Sequence, residues 1–176
     1  MWNLSCPDWA DLLRKGLPPV PDLPLFRVEA DRAVAIFNKL RLPDVPGTPT
    51  FAEAGGDWFQ NAFVAPLMGS YDPVKKVRMI TEIFGLVPKK QGKTTSSAGL
   101  MLVAMLMNKR PRADFIYCAP TQEIATLAFD QTCGMIRLDP ELAPQFWIQE
   151  HKKQISHRGV ERDGWKRPEE GRVVIF

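Results

Sequence analysis

Cysteine is scarce in this chain, with three in 176 residues: Cys6, Cys118 and Cys133. They show no paired spacing, which excludes a disulfide framework and points to a reducing compartment. Cys118 and Cys133 stand among apolar residues and are expected in the core. Histidine is rarer still. His151 and His157 lie six apart, a spacing that suits no metal-ligand pair on a helix or a strand, so both are expected at the surface. The longest apolar run, Ala98 to Met107, falls far short of the roughly 20 residues that span a bilayer. No basic region followed by an apolar stretch opens the chain, so no secretory leader is expected. Repeats and low-complexity segments are absent as well. What remains is an ordinary globular composition, 45% hydrophobic and 24% charged, enough for a real core in one domain with an accessory segment.

The net charge of +3 is unevenly spread. Residues 51–110 carry eight basic and four acidic groups, residues 111–150 only two against six, and residues 151–176 seven against four. Two mildly basic blocks around an acidic one could serve polyphosphate or nucleic acid, but a mixed solvated surface is the favoured reading. In the last block Lys152, Lys153, Arg158, Arg162, Lys166 and Arg167, with Trp165 among them, are candidates for DNA phosphate contact or for a solvated loop.

Proline marks the first boundary. Eight of the 16 prolines fall in the first 49 residues, and Pro18-Pro19, Pro21 and Pro24 impose an extended stretch. Residues 1–50 therefore read as a Pro-rich N-terminal arm with one or two short helices, the clearest from about Asp31 to Leu40. Residues 51–176 read as the main domain. Asp57 is a plausible N-cap for a helix from Trp58 to about Met68, and Gly69 to Pro73 reads as a turn. The pattern then predicts a strand over Arg78 to Val87, a buried helix from Lys93 to about Asn108 and a strand over Asp114 to Ala119. A helix from Pro120-Thr121 to about Arg137 follows, and a last strand covers Arg172 to Phe176. Alternating strands and helices joined by long connections predict an α/β fold with a parallel sheet. The polar region 139–172 carries no clear pattern. Met101, Met105 and Met107 read as core packing.

The chemistry is concentrated in Val87-Pro88-Lys89-Lys90-Gln91-Gly92-Lys93-Thr94-Thr95. The phosphate-binding loop pattern is Gly, four residues, then Gly-Lys-Ser/Thr. Gly92-Lys93-Thr94 matches its second half, while Val87 stands in the place of the first glycine. The triplet alone is weak, but it lies between an apolar strand pattern and an apolar helix pattern. Backbone N–H groups at such a helix start face an anion favourably. In this reading Lys93 reaches the β- and γ-phosphates of ATP and the Thr94 hydroxyl ligates Mg²⁺. A basic turn before a buried helix is the alternative.

This loop, with a basic pair in place of the leading glycine, resembles that of large terminase subunits, the DNA-packaging ATPases of tailed bacteriophages and prophages. Gly56-Asp57-Trp58-Phe59-Gln60 is similar to the family's adenine-recognition segment, in which a Gln reads the base edge. Cys118-Ala119-Pro120-Thr121-Gln122-Glu123-Ile124-Ala125 is similar to the strand-to-helix segment after the first βα unit. Leu40 to Gly47 resembles the family's N-terminal region. The resemblance spans most of residues 1–150. It implies a P-loop NTPase parallel sheet flanked by helices, with ATP and Mg²⁺ as cofactors. It places Pro88, Lys89, Lys90, Gln91, Gly92, Lys93, Thr94 and Thr95 around the phosphates and Gln60 at the adenine. Lys89 matches a residue, usually Arg, that stabilises charge on the transferring phosphoryl group. A lysine there lacks the bidentate fork of arginine but still supplies a point charge.

The resemblance further implies double-stranded DNA, a portal and a small terminase subunit as partners, no membrane, an oligomeric motor and the bacterial host cytoplasm. An acidic pair after an apolar strand, which such a motor needs for Mg²⁺ and for the attacking water, is not found. Neither are the coupling motif and the nuclease domain. The sequence therefore reads as the N-terminal part of such an ATPase, incomplete at its C-terminus. A non-catalytic nucleotide-binding remnant and another P-loop phosphotransferase are the alternatives.

Overall fold

The computed structural model describes residues 7–17, 26–110, 113–158 and 171–175. The chain divides into two compact units, one formed by Met1–Asn38 with Gly55–Leu86 and the other by Lys39–Ala54 with Val87–Phe176. Most of the expected Pro-rich stretch, including Pro18, Pro19, Pro21 and Pro24, lies outside the described residues, as do Arg162, Trp165, Lys166 and Arg167.

In the first unit, α1 (Trp9–Arg14) buries no residue, whereas α2 (Arg27–Lys39) buries Ala30, Ala33 and Phe37. The spacing of three and four puts these side chains on one face. Phe37 stacks on Phe59 at 5.8 Å between ring centroids, Phe59 stacks on Phe63 at 4.7 Å, and Trp58 meets Phe59 edge-on at 5.3 Å. This aromatic cluster is the unit's centre, and Val64 and Met68 complete it. Apart from Phe37 of α2, its rings come from a continuous helical run made of α3 (Asp57–Phe59), a π-helical turn over Gln60–Val64, and α4 (Ala65–Gly69). Pro66 explains the π-turn: it has no N–H for the Ala62 carbonyl, and its ring crowds that carbonyl away from α geometry. Asp57 does not cap this run. Gly56 holds the cap position with no side-chain bond, and Asp57 is the first helical residue.

The expected turn at Gly69 to Pro73 opens a short antiparallel hairpin, β1 (Tyr71–Asp72) with β2 (Val77–Arg78). The carboxylate of Asp72, itself buried, accepts the N–H groups of Val74 and Lys75, both at 2.9 Å, and so shapes the turn. The strand expected over Arg78 to Val87 does not form beyond Arg78. No described strand pairs with residues 79–88, and an extended segment without ladder partners is not stable as a strand. Phe84 and Leu86 are accordingly 89% and 88% exposed. Gly85 lies close against the Phe63 ring, where a Cβ would come within 2.7 Å.

In the second unit, residues 40–51 fold back on themselves. Arg41 and Thr50 form an isolated antiparallel bridge, and Leu42 N–H and Phe51 N–H donate to the Pro49 and Leu40 carbonyls at 2.8 and 3.0 Å. Leu40, Leu42 and Phe51 are buried. Two helices, α5 (Lys93–Leu106) and α6 (Gln122–Leu138), pack along each other. In the chain, β3 (Ala113–Tyr117) lies between them. All three match the sequence expectation to within a few residues. Thr121 caps α6, its hydroxyl accepting the Ile124 N–H at 3.4 Å.

The four-stranded sheet has the order β3–β6–β5–β4, where β4 is Phe146–Gln149, β5 is Gln154–His157 and β6 is Gly171–Ile175. β3 and β6 are parallel, with Phe115 opposite Val173, whereas β5 runs antiparallel to both β6 and β4. The described sheet is therefore mixed: the parallel pairing expected from the element order is met by β3 with β6, and the antiparallel β4 and β5 depart from it. The reason is a hairpin hidden in the polar region after Pro140. Its turn is a 3₁₀ segment, Glu150–Lys152, followed by Lys153 at φ +48°, so neither glycine nor asparagine marks it.

Leu102, Val103 and Met105 of α5, Phe129, Met135 and Ile136 of α6, and Phe146 and Ile155 of the hairpin build the core. Met105 is buried as expected, while Met101 and Met107 are half-buried. One core expectation, Cys118, and one surface expectation, His157, reverse. Cys118, one residue past the end of β3, is exposed, while Cys133 is buried. His157 is buried, its ring edge-on to Phe146 at 4.9 Å, because alternation along β5 turns it to the same side as Ile155; His151, in the turn, is exposed.

Candidate functional site

The loop 87–95 lies wholly in the second unit. Gly92 sits at the N-cap of α5 in the left-handed conformation, φ +66° and ψ +19°. A Cβ there would meet only the Ser96 hydroxyl, at 4.0 Å, so the position demands glycine for its backbone and leaves the space above it open. Lys90 also adopts a positive φ, +65°, giving the loop two left-handed residues within three positions. Gly92 has no side chain to cap α5, and the helix opens with its first N–H groups available to an anion. The Gly92 carbonyl accepts the Ser96 N–H at 2.8 Å and so starts the helical ladder.

Lys93 is the first helical residue, and its side chain turns back over the loop. Nζ donates to the Val87 carbonyl oxygen at 3.0 Å and to the Pro88 carbonyl oxygen at 2.9 Å. Lys89, Lys90 and Lys93 are all exposed, and no acidic residue occurs between Glu82 and Asp114. The loop is thus a cationic turn at a positive helix end, and both features attract an anion. Thr94 and Thr95 are half-buried. The Thr94 carbonyl oxygen accepts the Ser97 hydroxyl at 2.9 Å, and the same hydroxyl lies 3.0 Å from the phenol of Tyr117 at the end of β3. Neither Ser97 nor Tyr117 is marked by any sequence pattern. Their partnership joins positions twenty apart and becomes visible only in the fold.

Gln60 belongs to the other unit. It opens the π-helical turn, is 5% exposed, and donates its side-chain N–H to the Asn38 side-chain oxygen of α2. At the start of α6, Thr121, Gln122, Glu123 and Thr126 line an open depression of about 500 Å³. No cluster of three or more His, Cys, Asp or Glu side chains suited to a metal occurs among the described residues. No described helix is long and apolar enough to cross a membrane.

The family model described as terminase large subunit, ATPase domain, matches residues 58–162, more than half of the chain. The chain belongs to the terminase large-subunit ATPase family. The matched stretch contains the 57–69 helical run from Trp58 on, the cationic loop, α5, β3, α6 and the β4–β5 hairpin. No curated protein and no solved structure matches the chain.

Proposed function

We propose that this terminase chain binds ATP at the loop 87–95 and serves the ATP hydrolysis that drives packaging of double-stranded DNA into a procapsid. The observation that carries the reading is the left-handed Gly92 placed directly before α5, with Lys93 folded over the loop carbonyls. The backbone of Pro88, Lys89, Lys90, Gln91 and Gly92 forms the cradle, and Thr94 and Thr95 stand at the helix start. Lys93 exchanges its two carbonyl partners for β- and γ-phosphate oxygens, a gain because the phosphate places full negative charge opposite the ammonium where a carbonyl offers only a dipole. Lys89 compensates charge on the transferring phosphoryl group.

The loop fits a nucleotide with its magnesium. It offers the hydroxyls of two half-buried threonines, Thr94 and Thr95, no competing carboxylate, and cationic groups for the phosphates, and Mg²⁺ in such sites takes few protein ligands and several phosphate and water oxygens. When bound, Mg²⁺ neutralises charge between the β- and γ-phosphates. Gln60, in the first unit, is the candidate adenine reader that the family resemblance offers. The portal and the small terminase subunit are the protein partners, and the host cytoplasm is the setting.

The experiment is calorimetric titration of the purified chain with ATP and Mg²⁺. Binding is expected, lost in Lys93→Ala, with the preference for ATP over GTP reduced in Gln60→Ala. Unchanged binding in Lys93→Ala contradicts the proposal.

A further inference from the structure

The Ser97 hydroxyl has one proton, and its geometry toward the Thr94 carbonyl oxygen at 2.9 Å spends that proton on the carbonyl. The 3.0 Å contact between Ser97 Oγ and Tyr117 Oη therefore needs the phenol as donor. The result is a directed chain: Tyr117 O–H donates to Ser97 Oγ, and Ser97 O–H donates to the Thr94 carbonyl. Ser97 and Tyr117 are both half-buried, so each bond is partly screened from water, and consecutive bonds of this kind polarise one another.

The chain joins two places that matter. At one end stands the first turn of α5, which carries Gly92, Lys93 and Thr94. At the other stands the last residue of β3, four positions before the Thr121 cap of α6. An isolated first helical turn frays, and its hydrogen bonds are the weakest of a helix. Here a side chain from the neighbouring strand holds that turn in place.

We propose that Tyr117 and Ser97 are positioning residues that fix the first turn of α5 so that the Thr94 hydroxyl is presented to the magnesium of a bound nucleotide. This rests on the reading of the loop as a nucleotide site. Tyr117 touches no phosphate itself and acts through Ser97 and the Thr94 backbone. Because the link orients Thr94 rather than Lys93, it matters to the gain in affinity that Mg²⁺ brings and hardly to metal-free binding.

The test is titration of the full chain with a fluorescent ATP analogue, once with Mg²⁺ and once with EDTA, in wild type, Tyr117→Phe, Ser97→Ala, Ser97→Thr and Lys93→Ala. In Tyr117→Phe and Ser97→Ala the Mg²⁺-dependent gain is expected to fall about three- to tenfold, the loss of one to two hydrogen bonds. Affinity in EDTA stays within about twofold of wild type, and Ser97→Thr, which restores a hydroxyl, recovers the gain. A purely structural role lowers both affinities together and leaves their ratio unchanged. That outcome, or an unaltered ratio in Ser97→Ala, overturns the proposal while Lys93→Ala still abolishes binding. If wild type and Lys93→Ala behave alike, the nucleotide reading of the loop fails, and this inference fails with it.

Discussion

Lys93 and Pro88 are joined across the loop, the ammonium of one donating to the carbonyl oxygen of the other at 2.9 Å. The carbonyl of Val87 takes a second bond from the same ammonium at 3.0 Å. The closure uses a compact charge with rotatable donors. A guanidinium is planar and spreads its charge over a fixed fork. Lys93→Arg is therefore expected to keep the net charge yet bind ATP at least about tenfold more weakly, since charge alone does not reproduce the closure. Because Lys93 is exposed, the melting temperature should hardly move. Nucleotide titration beside a thermal melt separates the two effects.

Gly92 carries the turn into α5 at φ +66°. Alanine there meets no neighbour closer than the Ser96 hydroxyl at 4.0 Å, so its cost is the backbone's alone. Left-handed geometry costs an L-residue about 1–2 kcal/mol. Gly92→Ala is expected to lose roughly that much stability by chemical denaturation, and ATP affinity should drop further as the loop relaxes.

Gly134, inside α6, faces a different constraint. A Cβ at this position would stand 2.5 Å from the Pro43 Cβ and 2.7 Å from its Cγ. A proline ring has little freedom to move aside. Gly134→Ala gains about 1 kcal/mol of helix propensity but loses about 1–3 kcal/mol to overpacking. The expected outcome is a less stable protein, read as a lower denaturation midpoint with an unchanged slope.

Much of this second unit is legible in the sequence. Asp114 to Tyr117 is compact and apolar at its centre, Thr121 is a good cap, and Gly92 before a long apolar run marks a helix start. The strand expected over Arg78 to Val87 misleads because an apolar run says nothing of whether a neighbouring strand exists to pair with it. The β4–β5 hairpin is hidden for the opposite reason: Lys153 supplies a left-handed turn residue that composition does not announce. At the candidate site positions and their neighbours, residue types are legible and partners are not. Lys93 bonding its own loop, Ser97 bonding Tyr117, and Gln60 bonding Asn38 are all consequences of chain geometry.

The two described cysteines should behave as opposites. Burial pushes the Cys133 thiol up to about 12 from its ordinary 9.0, the nearby Arg137 charge offsetting only part of this. Cys118 is exposed. A thiol-alkylating reagent at pH 8 should label Cys118 and spare Cys133 until the protein unfolds, as peptide mapping by mass would reveal. The folded state holds the Cys133 proton more tightly than the unfolded state does. Its contribution to stability is therefore complete below about pH 9 and lost as the pH rises through about 12.

The most direct test of the account is to watch the loop's own amides. In a two-dimensional NMR titration of the ¹⁵N-labelled chain with ATP and Mg²⁺, the largest shifts are expected at the N–H groups of Gly92, Lys93, Thr94 and Thr95. Those groups open α5 and would receive the phosphates. The same titration of Lys93→Ala should leave them unmoved. Loop amides that stay still in the wild-type chain while nucleotide binds elsewhere would contradict the account.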